Sequence, residues 1–138
     1  MVNCYDNKRC SVGCYTIKGV NMKNPFKFFK EEVDRYATIL GLNEWDIQCS
    51  HGKIEGDVVA NVSTNYRGLM AHIRLNKNAK DQYTTAKKVS QLAAHEVLHI
   101  FMTEFDDLAR ARYCMEAELD VAEHRIVNTL DKILVDYK

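Results

Sequence analysis

Residues 92–101 read LAAHEVLHIF and contain the pattern His95-Glu96-x-x-His99. Neither Gly nor Pro interrupts this part of the chain, so we expect a helix. Residues four apart lie on one face of an α-helix, and His95 and His99 can therefore offer two imidazoles to one cation. Glu96 lies about 100° round the helix from His95, where a carboxylate can take a proton from a metal-bound water. The pattern predicts a catalytic metal site.

The rest of this helix is apolar, which predicts a packed and partly dry site. The alternative interpretation is an amphipathic helix that carries two histidines by chance.

Composition indicates an ordinary globular protein. The 138 residues are 46% hydrophobic and 28% charged, with a formal net charge of zero. This balance gives no electrostatic reason to expect a nucleic acid or an anionic membrane as partner. We expect an irregular, Cys-containing N-terminal arm over residues 1–23 and a single domain over residues 24–138.

Targeting and redox signals favour a cytoplasmic protein. No apolar run approaches the roughly 18 residues of a membrane span, and the N-terminus lacks a signal-peptide core. The five cysteines are an odd number and are expected to be free thiols. Three of them fall in the arm at loose spacings, where a second, structural zinc is a weak alternative: Cys4, Cys10 and Cys14.

The remaining pattern predicts an α+β fold. Asn24-Pro25 is typical of a helix start, and Gly41 of its end. Strands are expected over residues 45–49, 58–62 and 70–75, then the motif helix over 83–105 and a last helix over about 113–136. Short connections favour an antiparallel meander. The expected architecture is a small, mostly antiparallel three-stranded sheet packed with the HExxH helix and a Glu-bearing C-terminal helix.

A hydrolytic zinc needs a third protein ligand. The extended pattern HExxHxxGxxH is absent, because Met102 and Phe105 replace its Gly and last His. Candidates are therefore carboxylates on the last helix, whose expected buried stripe comprises Leu119, Ala122, Ile126, Val127, Leu130, Ile133, Leu134 and Tyr137.

Glu123 lies within this stripe, where a carboxylate is costly unless it is paired or bound to a metal. We therefore predict Glu123 as the third ligand, with a salt-bridged or solvated Glu123 as the alternative. Glu116 is the rival ligand, and Asp120 is a candidate to orient a ligand histidine. His124 and Tyr113 are candidates to polarise a substrate carbonyl.

His95-Glu96-Val97-Leu98-His99, followed by a helical Glu some twenty residues later, resembles the gluzincin class of zinc metallopeptidases. It is most similar to the minimal zincins of phages and bacteria, the ImmA/IrrE-like and SprT-like proteins, over roughly residues 25–137 in element order. The resemblance implies one Zn²⁺ per chain on His95, His99 and Glu123. It also implies a metal-activated water with Glu96 as general base, and an intracellular, phage-like setting.

The predicted function is a zinc metalloendopeptidase acting on a protein or peptide substrate, which could pair with the third strand if that strand is a sheet edge. The alternative is a catalytically silent zinc-binding module that recognises a protein partner through a zincin fold.

Overall fold

A computed structural model describes residues 23–136 of the chain. The elements are α1 (Pro25–Ile39), β1 (Asp46–Gly52), β2 (Ala60–Asn65), β3 (Met70–Asn76), a 3₁₀ segment (Lys77–Gln82), α2 (Ala86–Phe101), α3 (Thr103–Arg110) and α4 (Glu116–Asp136). Four helices and a three-stranded sheet confirm the α+β class. The cysteines of the predicted arm, Cys4, Cys10 and Cys14, lie outside the described residues, as does Tyr137. Within residues 23–136, no helix has the length and apolar character needed to cross a bilayer.

Side-chain caps start the first two helices, α1 at the predicted position and α2 at Ala86, three residues after the predicted start. The Asn24 side chain accepts a hydrogen bond from the Lys27 amide at 3.1 Å, and Pro25 follows in the first turn. Thr85 caps α2 in the same way through the Lys88 amide at 3.2 Å. Gly41 ends α1 with a φ of +72°, in the left-handed region that glycine adopts without strain.

The sheet is mixed, and the predicted meander is wrong. Its strand order is β1-β3-β2: β3 pairs in parallel with β1 and antiparallel with β2. β3 is therefore the central strand rather than an edge. Its inward residues Ala71, Ile73 and Leu75 are buried, as their alternation predicts.

Asn76, the last residue of β3, hydrogen-bonds the connection that this strand order requires. Its buried side chain accepts from the Ile54 and Asn78 amides and donates to the Ile54 and Val58 carbonyls, over 2.7–3.1 Å. The connection between β1 and β2 must pass the end of β3, and Asn76 supplies hydrogen-bond partners to the Ile54 and Val58 backbone groups of that connection. A prediction based on short connections pairs consecutive strands and therefore misses the parallel pairing of β1 with β3.

One hydrophobic core lies between the sheet, α1 and α2. Its fully buried side chains come from α1 (Phe29, Val33), β3 (Ile73, Leu75) and α2 (Val89, Ala93, Val97). The core fixes the position of α2 against both the sheet and α1.

A buried polar network joins α1 to α2. Glu32 is 1% exposed; it accepts from the Arg35 guanidinium at 2.9 and 3.0 Å and from the Ser90 hydroxyl at 2.5 Å. Tyr36 shares a hydrogen bond of 2.8 Å with Ser90. Because all of these groups are partnered, the carboxylate is tolerated inside the interface.

The predicted motif helix over residues 83–105 is in fact two helices. α2 ends at Phe101, and α3 begins at Thr103, so Asp106 and Asp107 lie in a helix and not in the expected connection. The buried Thr103 hydroxyl donates to the His99 carbonyl at 2.9 Å. Such a bond to the carbonyl four residues earlier competes with the helical ladder and bends helices.

α4 packs with a narrower stripe than predicted. Ala122 is buried and Leu119, Ile126 and Ile133 are half-buried, whereas Val127, Leu130 and Leu134 are exposed. An ion pair between Glu104 and Arg125 joins α3 to α4. α4 is thus attached along α3 and leaves part of its apolar face in water.

We expect Glu32→Ala to destabilise the fold by about 2–3 kcal/mol, because Arg35 and Ser90 lose their buried acceptor. Glu31→Ala, one residue away on the exposed side of α1, serves as the matched control and is expected to stay within about 0.5 kcal/mol. Urea unfolding followed by circular dichroism measures both. Equal midpoints for the two variants would contradict a stabilising role for the network.

Candidate metal centre in the cleft between β2 and α3

A cleft of about 560 Å³ lies between the edge strand β2 and helix α3, with α2 as its floor. β2 contributes Ala60, Asn61, Val62 and Thr64; α2 contributes His95, Glu96 and His99; and the chain beyond α2 contributes Met102, Thr103, Asp106 and Arg110. The three polar residues of the HExxH motif therefore line one cavity.

The two motif histidines meet in this cleft. Their Nε2 atoms are 3.2 Å apart, and the rings stand edge to face at 83°. With zinc–nitrogen bonds of about 2.0–2.1 Å, nitrogens at that separation subtend about 103° at a shared ion, close to the tetrahedral angle. Two neutral imidazoles can also share one N–H at this distance. The donor pair fits a tetrahedral cation.

Glu96 lies at the edge of the buried face of α2 and is 4% exposed. Burial raises the pKa of its carboxyl, while His95 and His99 act in the opposite direction. The histidines themselves are exposed, so the expectation of a dry site is wrong for them and correct for Glu96. A buried carboxylate beside two exposed imidazoles is arranged to accept a proton at the floor of the cleft.

Of the described residues, none on α4 lines the cleft. Glu123 is exposed, so the burial on which its assignment rested is wrong; its role as a zinc ligand stays a prediction. Glu116, Asp120, His124 and Tyr113 are exposed too, and His124 contacts the Asp120 carbonyl through Nδ1 at 2.7 Å. The structure brings together His95, Glu96 and His99, and leaves the α4 candidates outside.

Within residues 23–136, no group of three His, Cys, Asp or Glu side chains is close enough to hold a metal ion. The carboxylate that shares the cleft with the histidines, apart from Glu96, is Asp106. Its Oδ1 accepts from the Arg110 Nε at 2.9 Å. Asp106 therefore shares the cleft with the histidines but does not complete a group of three ligands with them as the structure places it.

Sequence reasoning missed Asp106 and Arg110 because it placed residue 106 in a connection. The signal was present, since an acid and an arginine four apart are typical of an exposed helical face. The sequence-based prediction also placed the substrate beside β3. The strand at the cleft is β2, whose outer edge pairs with no other strand of the described chain.

Cys49 on β1 is not a candidate nucleophile. Its thiol is free, and burial, with a smaller effect of Asp34, raises its pKa to about 11. A thiol with such a pKa is almost entirely protonated near neutral pH and is a poor nucleophile and metal ligand.

Comparisons with protein-family models, with curated proteins and with solved structures gave no match for this chain. The chemistry of the cleft must therefore be argued from its own residues.

Proposed function

We propose that the protein is a zinc-dependent metalloendopeptidase whose active site is the cleft between β2 and α3. The observation that carries the proposal is the 3.2 Å separation of the His95 and His99 Nε2 atoms, with the buried Glu96 beside them. Two imidazoles in ligand geometry next to a protected carboxylate match the requirements of metal-assisted hydrolysis.

His95 and His99 would hold the zinc, together with a third carboxylate. Bound there, Zn²⁺ supplies a Lewis acid that makes water acidic near pH 7 and polarises a carbonyl oxygen.

Glu96 does the proton transfer in this proposal. Its carboxylate accepts a proton from the attacking water and delivers it to the amine that leaves the cleaved peptide. Position 96 is suited to this because it adjoins His95 in sequence while its own side chain is 4% exposed. Limited solvent access keeps the proton from exchanging with bulk water before the amine departs.

β2 offers the means to align an extended substrate. Its outer edge lies along the cleft, so a peptide strand can add to the sheet through main-chain hydrogen bonds. Asn61 and Thr64 bring polar side chains to the same wall. Main-chain recognition of this kind suits an endopeptidase, since it does not need a chain end.

We also propose that the protein acts inside the cell. Of the cysteines that the structure describes, Cys49 and Cys114 are free thiols. Free thiols are typical of reducing compartments.

Zinc stoichiometry is the first test of this site. We expect about one zinc per chain in the purified protein, lost in His95→Ala and in His99→Ala because each change removes one of two adjacent ligands. His124→Ala, which removes an exposed histidine outside the cleft, is the control and should retain zinc. Mass spectrometry of the metal content measures this, and zinc retained by both motif variants would contradict the site.

A second comparison identifies the third ligand. Glu123→Ala, Glu116→Ala and Asp106→Ala are made separately, and zinc affinity is measured by competition with a chromogenic chelator. We expect Glu123→Ala to weaken zinc binding by about 100-fold or more, since a ligand contributes at least as much as an outer-shell partner. The other two variants should stay within about tenfold. If Asp106→Ala alone strongly weakened zinc binding, the third ligand would be Asp106 on α3 and not Glu123.

The catalytic claim depends on Glu96. Glu96→Gln is expected to retain zinc and to lower the rate of peptide cleavage by about 10²- to 10⁴-fold, because the amide cannot accept the proton. Glu44→Gln, an exposed change far along the chain, is the control. Cleavage of a proteome-derived peptide library, read by mass spectrometry, measures the rates. Unchanged cleavage in Glu96→Gln would refute the mechanism, and a zinc-loaded wild type without cleavage would favour the silent binding module.

A further inference from the structure

One wall of the cleft carries an exposed cation that forms an ion pair on one side only. Arg110, in the last turn of α3, lines the same cavity as His95 and His99. Its Nε donates to the Asp106 Oδ1 at 2.9 Å, one helical turn away. Of the residues known to line the cleft, Arg110 is the only arginine or lysine.

The contact with Asp106 uses one side of the guanidinium and leaves the other available. Within the described part of the chain, no side chain or carbonyl accepts a hydrogen bond from the Arg110 Nη atoms. The side chain is 80% exposed, so its two Nη groups face solvent in the cleft. A guanidinium presents such paired N–H groups in the geometry of a carboxylate.

We propose that Arg110 is a specificity-determining residue that binds a carboxylate of the substrate peptide. The inference rests on the proposed peptidase function and adds the class of substrate: acidic peptides. Asp106 acts as a positioning residue, because its ion pair restricts the long Arg110 side chain before the ligand arrives and so reduces the entropy lost on binding.

The position of Arg110 along α3 indicates which residue of the substrate peptide carries the bound carboxylate. Arg110 lies seven residues after Thr103, which at 1.5 Å per residue is about 10 Å along the helix. Thr103 itself adjoins the His99 carbonyl. For a peptide that lies along α3, about 10 Å corresponds to three extended residues, so the test peptides vary the residue three positions from the scissile bond.

Two kinds of substrate carboxylate share this chemistry: an Asp or Glu side chain, and the carboxylate at a peptide C-terminus. Peptides with an internal acidic residue and an amidated end separate the first from the second. Peptides that lack acidic residues but keep a free C-terminal carboxylate test the second kind alone.

The test uses the full-length, zinc-loaded chain and measures kcat and KM on matched peptides with Glu, Gln or Lys at the position three residues from the cleaved bond. In Arg110→Ala, we expect kcat/KM on the Glu peptide to fall about five- to tenfold through KM, the size of a charge-assisted contact that stays partly in water. The Gln peptide should change less than twofold. Arg110→Glu should reverse the preference in favour of the Lys peptide.

Arg112→Ala is the matched control, because Arg112 is exposed beside the Tyr113 ring, 5.5 Å from its centroid, and does not line the cleft. It should leave all three peptides unchanged. A wild type without preference for the Glu peptide, or an Arg110→Ala loss shared by the Gln peptide, would overturn the inference.

A binding measurement separates this inference from the peptidase proposal. Fluorescence anisotropy with a labelled Glu peptide and the Glu96→Gln protein needs no turnover. Binding that weakens at least fivefold in Arg110→Ala, and with rising salt, supports the carboxylate site even if no peptide is cleaved. Equal binding of the Glu and Gln peptides would overturn it even if cleavage is established.

Discussion

The orientation of α2 about its own axis is the constraint on which the site depends. Val89, Ala93, Val97 and Ile100 recur at helical spacing and are fully buried against the sheet and α1. With that stripe held in the core, the opposite face of the helix carries His95 and His99 into the cleft. A rotation of α2 that removed the histidines from the cleft would expose this stripe, at about 1.5–3 kcal/mol for each large side chain.

The polar network at the α1–α2 interface adds direction to this packing. Apolar contacts are non-directional, whereas the bonds among Glu32, Arg35, Ser90 and Tyr36 require one relative placement of the two helices. The helical spacing of α1 places Glu32 one turn from Phe29 and Tyr36, at the edge of the buried face, and places Glu31 on the opposite side. The packing of α2 against this face then supplies Ser90 as a hydrogen-bond partner of the buried Glu32.

Asn76 has a comparable effect on the other wall of the cleft. Its side chain hydrogen-bonds the connection between β1 and β2 at the end of β3. In this sheet β3 is the central strand and β2 is an edge strand. The open edge of β2 then lies beside the histidines, and α3 closes the opposite side. The shape of the cleft is therefore a product of strand order, which places the outer main-chain edge of β2 beside the motif histidines.

The sequence by itself determined the local features: the cap at Asn24, the inward face of β3, and the placement of His95, Glu96 and His99 on successive turns of one helix. These follow from interactions between residues within about four positions, which a linear pattern records. The tertiary structure alone decided the parallel pairing of β1 with β3, the break at Met102, the exposure of Glu123 and the arrival of Asp106 and Arg110 in the cleft. Each of these depends on contacts between distant segments, and the energy of such a contact is set by the partner that folding brings to it.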